Sequence, residues 1–234
     1  MFHMKIITSS ILLGIFISVS GQANFSLANN GGFLPQDNAV FNKVNSPNAG
    51  KNLSYSDIQG TPYYGKGYNV ASFSGTNETA PARYNSYNDE VEFTKEDKTF
   101  ILPKEDKFGV VNFTSPRYKM VRLNTNDELS GYFFESIEGD KYSLYKKIKT
   151  KFVDAVIAAN SYATDRPASF KALDPIYYIK TAEGTYIKNP KNQKDLIQQM
   201  PDKKDVLTSF FKENKIKFDK EEDMKKLVNF LNQN

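Results

Sequence analysis

Between about residues 65 and 152 the chain alternates short aromatic and β-branched runs with polar turn residues, roughly every 8–12 positions, which is the rhythm of an antiparallel meander. The runs predict strands over 67–73, 82–87, 90–94, 99–102, 109–113, 118–123, 131–137 and 141–152. Ser74-Gly75-Thr76-Asn77, Tyr87-Asn88-Asp89, Lys95-Glu96-Asp97-Lys98 and Glu138-Gly139-Asp140 supply the turns. In Glu90-Val91-Glu92-Phe93 the alternation predicts Val91 and Phe93 on a core and both glutamates in water. Residues 154–174 read as irregular, and a hairpin follows at Ile176-Tyr177-Tyr178-Ile179 and Thr185-Tyr186-Ile187. After Asn189-Pro190 the apolar period lengthens to that of a helix, about 3.6 residues. Stripes at Leu196, Ile197 and Met200, then Val206, Leu207, Phe210 and Phe211, then Met224, Leu227, Val228 and Leu231 predict three amphipathic segments. Pro201-Asp202 separates the first two, and Asp219 is placed to cap the third. The expected class is α+β: an antiparallel β-meander or partial barrel, a β-hairpin, and a C-terminal helical segment.

The N-terminal pattern is different. Met4-Lys5, an uncharged run from Ile6 to Val19 and small residues at Gly21 and Ala23 read as a secretory signal peptide over residues 1–23. The run is shorter than the roughly 20 residues a membrane-spanning helix needs, and no second one follows, so no transmembrane segment is expected in the mature chain. Residues 24–60 are rich in Asn, Gly and Ser and read as a loosely ordered arm, with a short docked piece around Ala39-Val40-Phe41. The β domain is then assigned to 61–190 and the helices packed on it to 191–234.

Composition narrows the chemistry. The 234 residues contain no Cys, no Trp and one His, and that His lies within the signal segment. Ser-His-Asp and Cys-His catalysis, and zinc, copper, haem or iron–sulfur ligation by the usual residues, are therefore not expected. No cofactor and no metal site is expected, and the formal net charge of +4 is too mild for a nucleic-acid surface. Ser143-Leu144-Tyr145-Lys146 and Ser209-Phe210-Phe211-Lys212 match S-x-x-K without companion motifs, and Tyr142 with Lys146 matches Y-x-x-x-K without a glycine-rich turn. Glu90, Glu92, Glu135, Glu138 and Asp140 are the carboxylates available for an acid–base pair. Fourteen tyrosines, clustered at Tyr63-Tyr64, Tyr84, Tyr87, Tyr132 and Tyr177-Tyr178, offer either cross-strand packing or platforms for sugars and partner side chains. Gly131-Tyr132-Phe133-Phe134 is apolar on both faces, and Lys147, Lys149 and Lys151 form a basic row. Tyr132, Phe134, Lys147, Lys149 and Lys151 are accordingly the candidate partner or ligand surface, the row alternatively being a solvated strand face.

Arg83-Tyr84-Asn85-Ser86-Tyr87-Asn88-Asp89-Glu90-Val91-Glu92-Phe93, the hairpin Tyr177-Tyr178-Ile179-Lys180 and the tail elements Lys194-Asp195-Leu196, Asp202-Lys203-Lys204 and Lys220-Glu221-Glu222-Asp223 carry a resemblance. Over residues 60–234 the chain resembles a family of uncharacterised secreted proteins of Bacteroidetes, in which a β-rich segment precedes a Lys-rich helical tail. The resemblance implies the periplasm or cell surface of a Gram-negative bacterium and brings no catalytic residue or cofactor. The expected function is that of a non-enzymatic envelope protein acting through contacts with another envelope protein. Alternatives are a β protein binding a glycan or lipid, and a carboxylate-based glycoside hydrolase.

Overall fold

The computed structural model describes residues 42–158, 160 and 162–234. The signal segment expected over 1–23, and the docked piece expected near Ala39, lie outside them. Ten strands form one antiparallel sheet: β3 (Tyr63–Phe73), β4 (Thr79–Asn85), β5 (Glu90–Lys95), β6 (Lys98–Ile101), β7 (Val110–Thr114), β8 (Arg117–Leu123), β9 (Gly131–Ile137), β10 (Ser143–Lys147), β13 (Ile176–Lys180) and β14 (Tyr186–Lys188). Their order is β14-β13-β10-β9-β8-β7-β3-β4-β5-β6. Two hairpins stand apart, β1 (Lys43–Ser46) with β2 (Lys51–Ser54) and β11 (Thr150–Val153) with β12 (Ser169–Ala172). Three helices close the chain: α1 (Gln193–Gln199), α2 (Lys204–Glu213) and α3 (Glu221–Gln233).

The sheet curls without closing. Four strand spacings separate β4 from β9, about 19 Å if the sheet were flat. The Tyr84 ring nevertheless lies 6.4 Å from that of Tyr132 and 5.8 Å from that of Phe134. The inside of the curl is filled by its own side chains, among them Tyr84, Phe93, Phe113 and Met120, each at most 1% exposed. The 102–109 crossover from β6 to β7 adds Leu102 and Phe108 to that core. The same face continues beyond the curl as Leu144, Tyr177, Ile179 and Ile187, which α1, α2 and α3 cover. On the outer face, Phe133, Tyr145 and Tyr178 pack with Leu129. The Tyr178 hydroxyl donates to Asp127 there at 2.7 Å. Burial works against that carboxylate, but Tyr178, Thr125, the Leu129 amide and Lys188 hold it well below its usual range.

A carboxylate fastens the curl. Asp89, in the β4–β5 turn, accepts from the Tyr84 hydroxyl and the Lys147 ammonium at 2.7 Å each and from the Tyr132 amide at 3.3 Å. Lys147 is 2% exposed and also donates to the Tyr132 carbonyl at 2.9 Å. Burial pushes its ammonium below the ordinary lysine value, with Asp89 pulling back. Gly131 makes the approach possible: its φ is +142°, and a Cβ there would stand 1.7 Å from Asp89 Oδ2.

Helix α3 is pinned at both ends. Glu221 accepts from Ser136 Oγ at 2.7 Å and pairs with Lys146, while Asn232 accepts from the Lys141 and Tyr142 amides and donates to the Tyr142 carbonyl. The expected Asp219 cap is not used; the helix starts at Glu221 after Lys220, which makes no side-chain cap, and Asp223 instead accepts from the Lys217 amide.

Three further expectations change. Residues 43–57, expected in a loosely ordered arm, contain the β1–β2 hairpin, whose Val44 and Leu53 pack with Ile58, Ala168 and Phe170. The strand expected over 141–152 is two, because the chain leaves the main sheet after Lys147 and pairs β11 with β12. The irregular stretch 154–174 therefore contains a strand, its alternation hidden by only four residues of length. Among the described residues no helix is long and apolar enough to cross a membrane.

Replacing Gly131 with Ala is expected to break the Asp89 clamp and lower stability by about 3–5 kcal/mol, the cost of leaving a buried ion pair half made. Urea unfolding measures it, and a loss under about 1 kcal/mol would show that the clamp does not hold the curl. Asn232→Ala removes three backbone partners and is expected to cost about 1–3 kcal/mol in the same assay, a neutral result contradicting the docking role.

Candidate functional site

An aromatic recess forms where β3 departs from regular pairing. Tyr64 stands opposite Tyr84, and the next ladder pair is Asn69 with Ala82, so Gly65, Lys66, Gly67 and Tyr68 face the single residue Arg83. Gly65 has φ +82°, a backbone state that favours glycine, and a side chain there would meet nothing within 4 Å. The glycine thus serves backbone conformation rather than close packing. The loop so formed, with Pro116 from the β7–β8 turn and Tyr118 from β8, bounds an open groove of about 500 Å3 lined also by Tyr64, Tyr68 and Asn69.

Its rings are held from behind. Tyr118 stacks on Phe113 at 4.4 Å between centroids and lies 5.3 Å from Phe134, while Tyr64 sits edge-on to Tyr118 at 5.8 Å. Burial raises the Tyr118 hydroxyl above the usual tyrosine value, so it is a neutral donor at physiological pH. Tyr68 rests on the Arg83 guanidinium at 4.4 Å, and Tyr63 covers that cation from 3.5 Å. Arg83 Nε in turn donates to Glu92 at 2.8 Å, and Asn85 donates to the other Glu92 oxygen at 3.3 Å. Glu92 is 0% exposed, a correction to the expectation that it faces water. Val91 and Phe93 do face the core, but the opposite face is roofed by Tyr63, Tyr68 and Arg83 rather than bare.

The residues singled out as a partner surface divide. Tyr132, Phe134 and Lys147 are 0%, 4% and 2% exposed, because the curl folds the first two into the core and Asp89 draws in the lysine. They offer no surface. Lys149 and Lys151 lie past the break after β10, Lys149 half-buried and Lys151 exposed, so no continuous basic row forms. Of the sequence candidates, only the tyrosine cluster contributes to the groove, through Tyr64. Tyr68, Tyr118 and Pro116 were missed, although Gly65-Lys66-Gly67 inside an aromatic run was a signal of a bulge.

The remaining motifs are occupied elsewhere. Ser143 bonds the Gly139 backbone while Lys146 pairs with Glu221, which separates one S-x-x-K, and Ser209 and Lys212 lie exposed on α2. Glu135 and Glu138 share Lys119, and Asp140 is exposed. Burial raises the half-buried Glu90 above the ordinary glutamate value, opposed by Lys104. Compared with protein families, curated proteins and solved structures, the chain has no match.

The Tyr63–Arg83–Tyr68 stack depends on its buried acid. Arg83→Met is expected to strand the Glu92 charge and cost about 3–5 kcal/mol, whereas Arg83→Met combined with Glu92→Leu is expected to recover most of that loss. Thermal unfolding of the three proteins checks it; a single variant as stable as the parent would contradict the coupling.

Proposed function

We propose that this is a secreted protein of a bacterial envelope that binds glycan chains in the Tyr64–Tyr68–Tyr118 groove and acts by contact rather than by catalysis. The observation that carries the reading is the groove itself: three partly exposed aromatic rings held by fixed neighbours, beside polar groups from Lys66 and Asn69. A pyranose ring presents axial C–H groups that stack on an aromatic face, and equatorial hydroxyls that need donors and acceptors at its rim. Because Phe113, Phe134 and Arg83 already fix the rings, little side-chain entropy remains to be lost on binding. The volume is in the range of small-ligand sites, about 300–1,000 Å3, and the open form of the groove suits an extended chain more than an enclosed molecule.

Two alternatives are less well supported. A lipid seated within the sheet would have to displace the tyrosine and phenylalanine side chains that fill the curl. A carboxylate hydrolase would need two free acids facing one cleft, and Glu92, Glu135 and Glu138 are each engaged by a cation. Contact with an envelope protein keeps one specific support, the exposed apolar side chains of Ile157 and Tyr162, 67% and 98% exposed.

Titration with soluble bacterial and plant polysaccharides, followed by affinity electrophoresis and calorimetry, tests the reading. A bound glycan should be held about tenfold more weakly by Tyr68→Ala and by Tyr118→Ala, the effect of losing one stacking partner. Undiminished binding in both variants, or no retardation by any polysaccharide, would overturn it.

A further inference from the structure

A second recess lies where the 102–109 crossover passes between the β4–β5 turn and the ends of β8 and β9. Lys104 and Asp106 come from the crossover, Asp89 from the turn, Arg122 and Leu123 from the end of β8, Asn124 and Ser130 from the loop that follows, and Gly131 from the start of β9. Together they enclose about 390 Å3. This recess is separate from the aromatic groove and shares no lining residue with it.

Its charges are unequal in their commitments. Asp89 is saturated by Tyr84, Tyr132 and Lys147, so it is a structural anion with its counter-charge built in. Lys104 is exposed and makes no ion pair among the described residues. Arg122 is held by its backbone, its amide donating to the Gly109 carbonyl at 2.7 Å, and its side chain is 28% exposed. Its guanidinium pairs with Asp106, whose side chain is fully exposed at 100%. An ion pair to so exposed a partner contributes little and is readily exchanged. Beside Arg122, directly opposite it in the β8–β9 register, stands Tyr132. The Tyr132 hydroxyl, buried in the core behind it, has no hydrogen-bond partner among the described residues and does not line the recess.

The geometry points to a second binding site, for a small molecule carrying a carboxylate or phosphate, which Arg122 and Lys104 grip after displacing the carboxylate of Asp106. Asp106 acts as an internal stand-in for the ligand's anion. The recess is larger than a bare oxyanion, so the body of the ligand lies along Leu123. Ser130 and Asn124 are the polar groups at hand for it.

The stand-in gives the inference a test that most surface ion pairs would fail. The full-length protein, labelled with 15N, is titrated with inorganic phosphate and separately with glucuronate, following the Ser130 and Gly131 amide signals and the Arg122 side-chain Nε–H. Saturable shifts confined to these residues are expected with one or both probes. A response to phosphate alone assigns a phosphate ligand, and a response to glucuronate alone a carboxylate. Asp106→Asn removes the competitor without emptying the recess and is expected to tighten binding about tenfold, while Lys104→Gln weakens it about tenfold. Both positions are exposed, so neither variant threatens the fold. No saturable shift with either probe, or an Asp106→Asn variant that binds no more tightly than the parent, would overturn the assignment.

Discussion

The carboxylate of Asp89 binds together parts of the molecule that the sheet itself joins only weakly. The ladder between β3 and β7 consists of Ala71 with Phe113, Ser72 with Asn112 and Phe73 with Val111, and among the described residues it is the only strand pairing that connects β3–β6 to the rest of the sheet. So short a seam would leave two small sheets free to hinge. The Asp89 contacts across the open side turn that hinge into a curl, and the curl is what allows Tyr84, Tyr132 and Phe134 to share one core. A buried ion pair is seldom a source of net stability, since desolvating both charges offsets their attraction. Here its role is better described as geometric: it admits one curvature and excludes the flatter ones.

Both recesses follow from that curvature. Because β3 pairs with β7 only from Ala71 onward, its first half runs unpaired on that side past Tyr118, and the gap is the aromatic groove. Because the curl stops short of closing, the crossover must bridge its open side, and the polar recess is the space between crossover, turn and β9. The two differ in chemistry for a reason of position. The first opens where aromatic core residues reach the surface, the second where strand ends and turns bring charged residues together.

Much of the architecture was legible in the alternation of residues, and the failures share a cause. Period-2 patterning says which side chains share a face, as Val91 and Phe93 do, but not what covers the other face. Glu92 and Lys147 are charged residues on faces that pattern reading assigns to water, and each is buried by a partner distant in sequence or by a roof of tyrosines. Tyr132 and Phe134 carry the complementary lesson: an aromatic run apolar on both sides reads equally as an exposed platform or as a strand covered twice, and only the curl decides. Breaks such as that between β10 and β11 leave no mark in hydropathy, because Ile148 and Lys149 continue the alternation through the point where the chain changes sheets.

The anchoring of α3 by Glu221 and Asn232 has a bearing on the order in which the chain can mature. A polypeptide is made from its N-terminus, and the helices that cover Leu144, Tyr177, Ile179 and Ile187 are encoded after every strand of the sheet. Until residue 232 is delivered, the turn before β10 lacks its side-chain partner and one apolar half of the sheet stands open to water. The nascent chain therefore passes through a long interval with its second core incomplete. Such a delay leaves the chain receptive to holding chaperones and places the completion of the second core after α3 has been made rather than along the way.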